Sequence, residues 1–140
     1  MIKLWFLFLV ALSQAAFSQV PAFNDVDRTN GQRVIADAGK VLADNLRSAN
    51  GARFRGVYLF KTIGTDGRAH INVCGEVNAQ NGYGGMSGFV MFTTAGKTLL
   101  TGSSGILNAN MVCNGTTARV RDDHDYTTDL RKAFDANAGQ

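Results

Sequence analysis

The clearest hydrophobic pattern in the chain lies between Gln32 and Ser48, where apolar side chains recur at helical spacing and polar ones mostly occupy the other faces. We predict one amphipathic helix over this range, followed by Gly51, which is well placed to end it in a left-handed conformation. Gly39 within the helix costs about 1 kcal/mol relative to alanine, unless it allows a close approach to the sheet. Residues 20–30 show little pattern and are predicted to be a polar leader. The apolar positions of the helix are Val34, Ile35, Ala38, Val41, Leu42 and Leu46.

Two runs rich in β-branched and aromatic residues follow the helix, over residues 54–63 and 68–78. Residues 64–67 (GTDG) separate them, and Asp-Gly between two such runs is a strong signal for a β-hairpin. Side chains of a strand alternate between its two faces. One face of the second strand carries Ile71, Val73 and Val77 and is predicted to point toward a core. The opposite face is polar and carries His70, Asn72, Cys74, Glu76 and Asn78.

The second half of the chain has weaker patterns that glycine-rich segments interrupt. Residues 79–88 are predicted to be a loop, because their Asn-Gly and Gly-Gly pairs permit positive φ. We predict an α+β domain in which the N-terminal helix packs on an antiparallel sheet of three to five strands, with a short C-terminal helix. The later elements are a strand at 88–94, a short strand at 98–101, a segment at 106–112 that is ambiguous but favours a helix, an edge strand at 118–121, and a helix at 129–137 capped by Thr128.

The N-terminus has the pattern of a signal peptide. Lys3 is followed by an apolar run of about nine residues, too short to span a membrane, which takes roughly 20. Small residues at Ala16 and Ser18 place cleavage after Ser18, with Ala15 as the alternative site. We therefore assign residues 1–18 to a signal peptide and residues 19–140 to one domain. A buried N-terminal helix is the alternative.

Composition limits the class of partner. The 14 Lys and Arg residues less Lys3 leave 13 against 11 acidic residues, so the mature chain has a net charge of about +2. That charge is small and scattered, which argues against nucleic acid as the partner. Arg47, Arg53 and Arg55 lie close together and are interpreted as solvated residues flanking a strand rather than as an anion-binding patch.

The two cysteines, Cys74 and Cys113, are predicted to form one disulfide, because exported proteins fold in oxidising compartments. The bridge would close a loop of roughly 40 residues, which the loop-entropy estimate values at about 4 kcal/mol. Two free thiols, one of them reactive, are the alternative.

The polar face of the strand at 68–78 and the loop at 79–88 together form the candidate binding site. A strand that presents His, Asn, Cys, Glu and Asn on one side faces water or lines a polar groove. A solvated face partly covered by the C-terminal region and a catalytic surface are the alternatives. The candidate binding residues are His70, Asn72, Glu76, Asn78, Asn81 and Tyr83.

The sequence supports a catalytic site or a metal site less well than it supports the candidate binding site. A thiol enzyme or small hydrolase would use Cys74 or Glu76 with a histidine, yet four strand residues put His70 roughly 13 Å from Cys74. Glu76 has no partner carboxylate and can instead pair with Arg53, Arg55 or Arg68. Residues 122–125 (DDHD) lack the spacing of calcium and zinc sites and are interpreted as a solvated acidic loop. We therefore assign no catalytic residues, no metal ligands and no cofactor.

The stretch from Cys74 to Phe92 resembles a group of small exported bacterial proteins of uncharacterised function. In that group a strand ending in Cys-Gly-x-Val-Asn leads through Asn, an aromatic residue and paired glycines to a Gly-Phe strand. The resemblance covers roughly residues 34–92, although Met86 replaces an aromatic residue and the Asp-Pro-x-Ser-Ala-x-Phe entry to the first strand is missing. The matching residues are Cys74, Gly75, Val77, Asn78, Asn81, Tyr83, Gly84, Gly85, Gly88 and Phe89.

The resemblance implies a bacterial envelope protein and a shared sheet, but no activity. The leading hypothesis is a periplasmic or secreted non-enzymatic module that binds an envelope protein or a cell-wall component. No membrane span is expected after signal cleavage. The alternatives are the small hydrolase or thiol enzyme and a structural accessory protein of a larger envelope machine.

Overall fold

The computed structural model describes residues 19–46, 51–80, 85–102 and 107–139. The strands form one antiparallel sheet in the order β4-β3-β2-β1-β5, which confirms the predicted α+β class. The predicted signal peptide lies outside the described residues, and none of the helices described is long and apolar enough to cross a membrane. The elements are α1 (Asp25–Asn45), β1 (Arg53–Ile63), β2 (Ala69–Asn78), β3 (Val90–Ala95), β4 (Thr98–Thr101), α2 (Ala109–Cys113), β5 (Val120–Arg121) and α3 (Thr127–Asn137).

Helix α1 begins earlier than predicted, so the polar leader is wrong from Asp25 onward. The Asn24 side chain accepts a hydrogen bond from the Asp27 N–H (2.9 Å), and the Asp27 carboxylate accepts one from the Asn24 N–H (3.1 Å). This reciprocal capping box gives two backbone N–H groups a hydrogen-bond partner. The helix can therefore begin where the sequence shows no apolar stripe. At the other end the extended conformation of Leu46 stops the helix, so the prediction that Gly51 ends it is wrong.

Helices α1 and α3 cover one face of the sheet and bury the main core against it. Phe54 lies at its centre and meets the rings of Phe92 and Phe134 edge to face, at centroid distances of 6.2 and 5.1 Å. The predicted core face of β2 is confirmed for Val73 and Val77, which are buried, and Ile71 packs at the edge of the core. Apolar burial of this kind supplies most of the free energy that favours folding.

Glycines in α1 allow two close approaches. Gly31 lies against Leu59 of the sheet, where a methyl group would overlap the leucine side chain. Gly39 lies against α3 rather than the sheet, so the predicted approach is real but its partner is a helix. A methyl group on Gly39 would lie 2.5 Å from the Ala133 Cβ and 2.7 Å from the Phe134 backbone nitrogen.

Replacing Gly39 by alanine is expected to lower the free energy of unfolding by about 1–2 kcal/mol net, because forcing α1 and α3 apart costs about 2–3 kcal/mol. Better helix propensity offsets only about 1 kcal/mol of that cost. Chemical unfolding followed by circular dichroism measures the change. Gly51→Ala is the matched control, since its methyl group would have only the Met86 sulfur nearby, at 3.9 Å. A stabilised Gly39→Ala variant would contradict the packing described here.

A β-bulge at Gly56 sets which side chains of β1 share a face. The register with β2 shifts between Arg55 and Tyr58, and Gly56 has a φ of +57°, as expected for a glycine bulge. The extra residue turns Val57 into the core, where it is 1 % exposed. Arg55 and Tyr58 therefore both point to the sheet face away from α1 and α3.

The segment between β5 and α3 also departs from prediction. Helix α3 starts at Thr127, and the Asp125 carboxylate rather than a Thr128 cap accepts the Thr127 N–H, at 2.9 Å. Asp122 is buried and accepts a hydrogen bond from the Tyr126 hydroxyl at 2.5 Å. Burial alone would raise the pKa of Asp122, but this bond and the nearby Arg28 charge hold the pKa below its ordinary value. The solvated acidic loop is therefore wrong at Asp122.

Candidate functional site

The predicted Cys74–Cys113 disulfide is present and fixes α2 over the middle of the polar face. The two Cα atoms lie 6.0 Å apart, and both cysteines are buried beside Phe60. Tyr58, Met91 and Val112 pack around them. The disulfide thus covers the centre of the face that the sequence predicted to be polar, and it leaves two separate polar ends.

One end carries His70 and Asn72. His70 is exposed, and its Nε2 atom lies 3.6 Å from the Asp66 carboxylate in the hairpin turn. Asn72 lines a cleft of about 320 Å³ that opens where β2 and β3 separate. Glu76 lies six positions along the strand from His70, a distance of roughly 20 Å. The structure therefore does not bring these two candidates together with Glu76 and Asn78.

The other end carries Glu76, held by an arginine of the neighbouring strand. Arg55 pairs with the Glu76 carboxylate through two hydrogen bonds, of 2.9 and 3.3 Å, which confirms pairing across the hairpin. The Arg55 guanidinium also lies over the ring of Phe89, 3.9 Å from its centroid. Glu76, Arg55 and Phe89 thus form an ordered stack that joins β1, β2 and the segment after the glycine-rich loop.

Asn78 ends the polar face and has an unusual environment. It lies opposite Arg53 on β1. Its side-chain oxygen Oδ1 is buried and has no hydrogen-bond partner among the described residues. It lines an open cavity of about 600 Å³, together with Arg53, Met86 and Arg131 and the chain at Gly51 and Ala52. Sequence reasoning treated Arg53 as a solvated residue and gave Arg131 no role.

Arg131 reaches the cavity from α3 and is held on several sides. It donates a hydrogen bond to the Ala52 carbonyl. Its guanidinium lies 4.7 Å from the centroid of the Phe54 ring and 5.7 Å from that of Phe134, and it pairs with Asp135 at 3.6 Å. These contacts orient the guanidinium, and no sequence pattern connects residue 131 with the end of β2.

The two remaining predicted binding residues, Asn81 and Tyr83, lie outside the described residues. The described ends of their loop come back together beside the cavity. Gln80 and Met86 form an isolated antiparallel bridge, and the Ser87 N–H donates to the Ala79 carbonyl at 2.9 Å. Met86 is 47 % exposed at this position. We call Arg53, Arg55, Glu76, Asn78, Met86 and Phe89 the Asn78 surface.

The described part of the chain does not show the arrangement of side chains that a thiol enzyme or a small hydrolase would need. The sulfur of Cys74 is bonded to Cys113 and so is not the thiolate that a cysteine nucleophile requires. His124 pairs with Asp129 of α3, at 3.0 Å. Among the residues described, no group of three or more His, Cys, Asp or Glu is arranged to hold a metal ion.

Comparisons with known proteins add no family or activity. Neither protein-family models, nor curated proteins, nor solved structures give a match to the chain. The resemblance of residues 74–89 to small exported bacterial proteins therefore stays a prediction. Function has to be inferred from the disulfide and from the Asn78 surface.

Proposed function

We propose that the protein is a non-enzymatic binding module that works in the bacterial periplasm or outside the cell. The signal-peptide pattern at residues 1–18 supports export. The Cys74–Cys113 disulfide supports an oxidising compartment, since such bonds persist there and are rare in the cytosol. The proposed partner is an envelope protein or a cell-wall component.

The observation that carries this proposal is the ordered stack of Glu76, Arg55 and Phe89. Three side chains from different parts of the chain hold one another at the surface, so a partner that docks on them pays little additional conformational entropy. Arginine and aromatic residues are also enriched where proteins bind one another.

The glycine-rich loop contributes to the same surface. Its described end places Met86 beside the cavity and Phe89 under Arg55. Methionine adapts its shape to a partner, because its side chain is unbranched and flexible. The proposed interface therefore combines one rigid polar stack with one adaptable apolar contact.

Site-specific photo-crosslinking in the native host tests the proposal. A photoreactive amino acid at position 86 is expected to yield a discrete adduct in the envelope fraction. Glu76→Gln and Asn78→Ala in the same chain are expected to reduce that adduct at least fivefold, with an unchanged circular dichroism spectrum. Position 97, on the exposed turn between β3 and β4, is the matched control and is expected to give none. Equal adducts from both positions, or an adduct insensitive to both substitutions, would refute this surface as the binding site.

A further inference from the structure

The two sides of the sheet differ in charge. Nine of the eleven acidic residues lie in α1, in α3 or in the loop that joins β5 to α3. The other two are Asp66, in the hairpin turn, and Glu76, which is already paired with Arg55. The sheet face that α2 partly covers therefore carries a net positive charge. Four arginines that are scattered along the sequence are gathered on it: Arg53, Arg55, Arg119 and Arg121.

Arg121 is held in an open position on this face. It lies opposite Phe60, and its guanidinium lies over the ring of Tyr58, 4.0 Å from the centroid. Arg121 is exposed, and the Asp125 carboxylate at the same edge accepts the Thr127 N–H instead of pairing with it. A guanidinium that stacks on a ring keeps the N–H donors at its edge, in the planar arrangement that suits a phosphate group.

Arg119 adds charge to this face but serves mainly to hold α2. Its guanidinium lies 4.5 Å from the centroid of the Phe60 ring. It donates to three carbonyl groups at or just beyond the C-terminal end of α2, those of Val112, Cys113 and Gly115. These bonds occupy its donors, so Arg121 is better placed than Arg119 to bind an anion.

Two exposed apolar side chains stand beside these arginines. Ala109 and Cys113 are buried against the sheet, so Met111, which lies between them on α2, points outward. Met111 and Leu107, just before α2, are each 57 % exposed. Apolar surface of this extent gains free energy when it leaves water for an apolar phase. The face therefore offers positive charge and apolar surface side by side.

We propose that this face docks on the surface of an anionic lipid bilayer. Met111 and Leu107 enter the boundary between headgroups and acyl chains, and Arg121 binds a lipid phosphate. We call Tyr58, Leu107, Met111, Arg119 and Arg121 the α2 surface. These residues lie outside the Asn78 surface, so the inference goes beyond the proposed function and does not depend on it.

A bilayer suits both parts of the α2 surface. A soluble polyanion such as polyphosphate would pair with the arginines but would leave Met111 and Leu107 in water. A neutral apolar partner would cover those side chains but would take the Arg121 guanidinium from water without supplying an anion. An anionic bilayer presents phosphates directly beside an apolar phase. Charge and apolar surface together thus favour a lipid surface over either of the other two partners.

Flotation of residues 19–140 with lipid vesicles tests this inference. Vesicles of phosphatidylcholine mixed with phosphatidylglycerol are compared with vesicles of phosphatidylcholine alone. Binding to the anionic vesicles is expected to be about tenfold stronger or more, since each basic residue near such a surface adds about fivefold. High salt is expected to weaken it, because salt screens the attraction. Equal binding to both kinds of vesicle, or binding to neither, would overturn the proposal.

Variants with matched controls separate the two contacts. Arg121→Gln is expected to weaken binding to the anionic vesicles about fivefold, through the lost charge. Met111→Ser is expected to weaken it about as much, through the lost apolar surface. Arg33→Gln and Val26→Ser make the same changes at exposed positions of α1 and are expected to bind like the unaltered protein. Circular dichroism of each variant shows whether it is folded.

The pattern of losses identifies the partner. A loss in Arg121→Gln without one in Met111→Ser would indicate a bare polyanion and overturn the bilayer. Equal losses in the variants and their α1 controls would show that another face binds. If vesicles do not bind while a photoreactive amino acid at position 111 crosslinks to a protein, the occupant is a protein and the lipid proposal is wrong. The adduct from position 86 tests the proposed function separately, so either proposal can fail while the other stands.

Discussion

Breaking the Cys74–Cys113 disulfide is expected to lower the free energy of unfolding by about 4 kcal/mol. The bond closes a loop with a sequence separation of 39 residues, and this restricts the unfolded chain far more than the folded one. A domain of this size is typically stable by about 5–15 kcal/mol, so the loss is a large share of the total. Urea unfolding of residues 19–140, with and without a thiol reductant, measures the difference.

A double variant with alanine at both cysteines is the control for that experiment. It is expected to unfold at low denaturant and to respond to the reductant by less than about 0.5 kcal/mol, since it has no bond to break. Alkylation of the unreduced protein, followed by intact mass, is expected to leave Cys74 and Cys113 unmodified. Ready alkylation of either cysteine would show that the bond does not form and would reopen thiol chemistry at Cys74.

Replacing Lys61 by methionine is expected to lower the free energy of unfolding by about 3 kcal/mol at neutral pH. The Lys61 ammonium is buried, pairs with the Asp27 carboxylate at 2.5 Å, and donates to the Ala22 carbonyl at 2.8 Å. Removing it leaves Asp27 charged in a site that is about 10 % exposed. Lys61→Met with Asp27→Asn is the control and is expected to recover most of the loss, because no unpaired charge remains.

The dependence on pH identifies the cause of that loss. Burial alone would raise the pKa of Asp27, but hydrogen bonds from Lys61 and Asn24 hold the pKa below its ordinary value of 3.8. This carboxylate therefore stabilises the unaltered protein above about pH 4, and the contribution is lost as the pH falls further. In Lys61→Met the contacts from Lys61 are lost while burial and the hydrogen bond from the Asn24 N–H remain, so the pKa of Asp27 rises and the deficit shrinks on acidification. A deficit that stays constant between pH 7 and pH 3 would show that lost packing, not charge, is responsible.

Sequence patterns predicted most elements because their signals are local. The Asp-Gly pair indicated the turn of the hairpin. The alternation of apolar and polar side chains along β2 indicated which of its faces is buried. The start of α1 was missed because Asn24 and Asp27 begin the helix by hydrogen bonding, which leaves no apolar stripe to detect. The two cysteines predicted the bond, but not that α2 would cover the centre of the polar face.

The candidate site was predicted only in part, and the bulge explains why. The turn at 64–67 alone sets a register that would place Asn78 opposite Phe54, a core residue. The extra residue at Gly56 shifts the pairing by one, and Arg53 takes that place. A lone glycine inside a strand pattern is a known signal for a bulge, so this partner could have been found. Arg131 could not, since only the packing of α3 brings it near.

The hydrogen bond between Lys61 and Ala22 fixes where the N-terminal segment lies, and so which side of the protein faces a support that is joined to this segment. Lys61 holds the Ala22 carbonyl at one end of β1. Arg53 lies eight residues away at the other end of the same strand, roughly 25 Å along it. A bead, a sensor chip or a fusion partner joined just before residue 22 would therefore hold the protein with the Asn78 surface on the far side, open to solution.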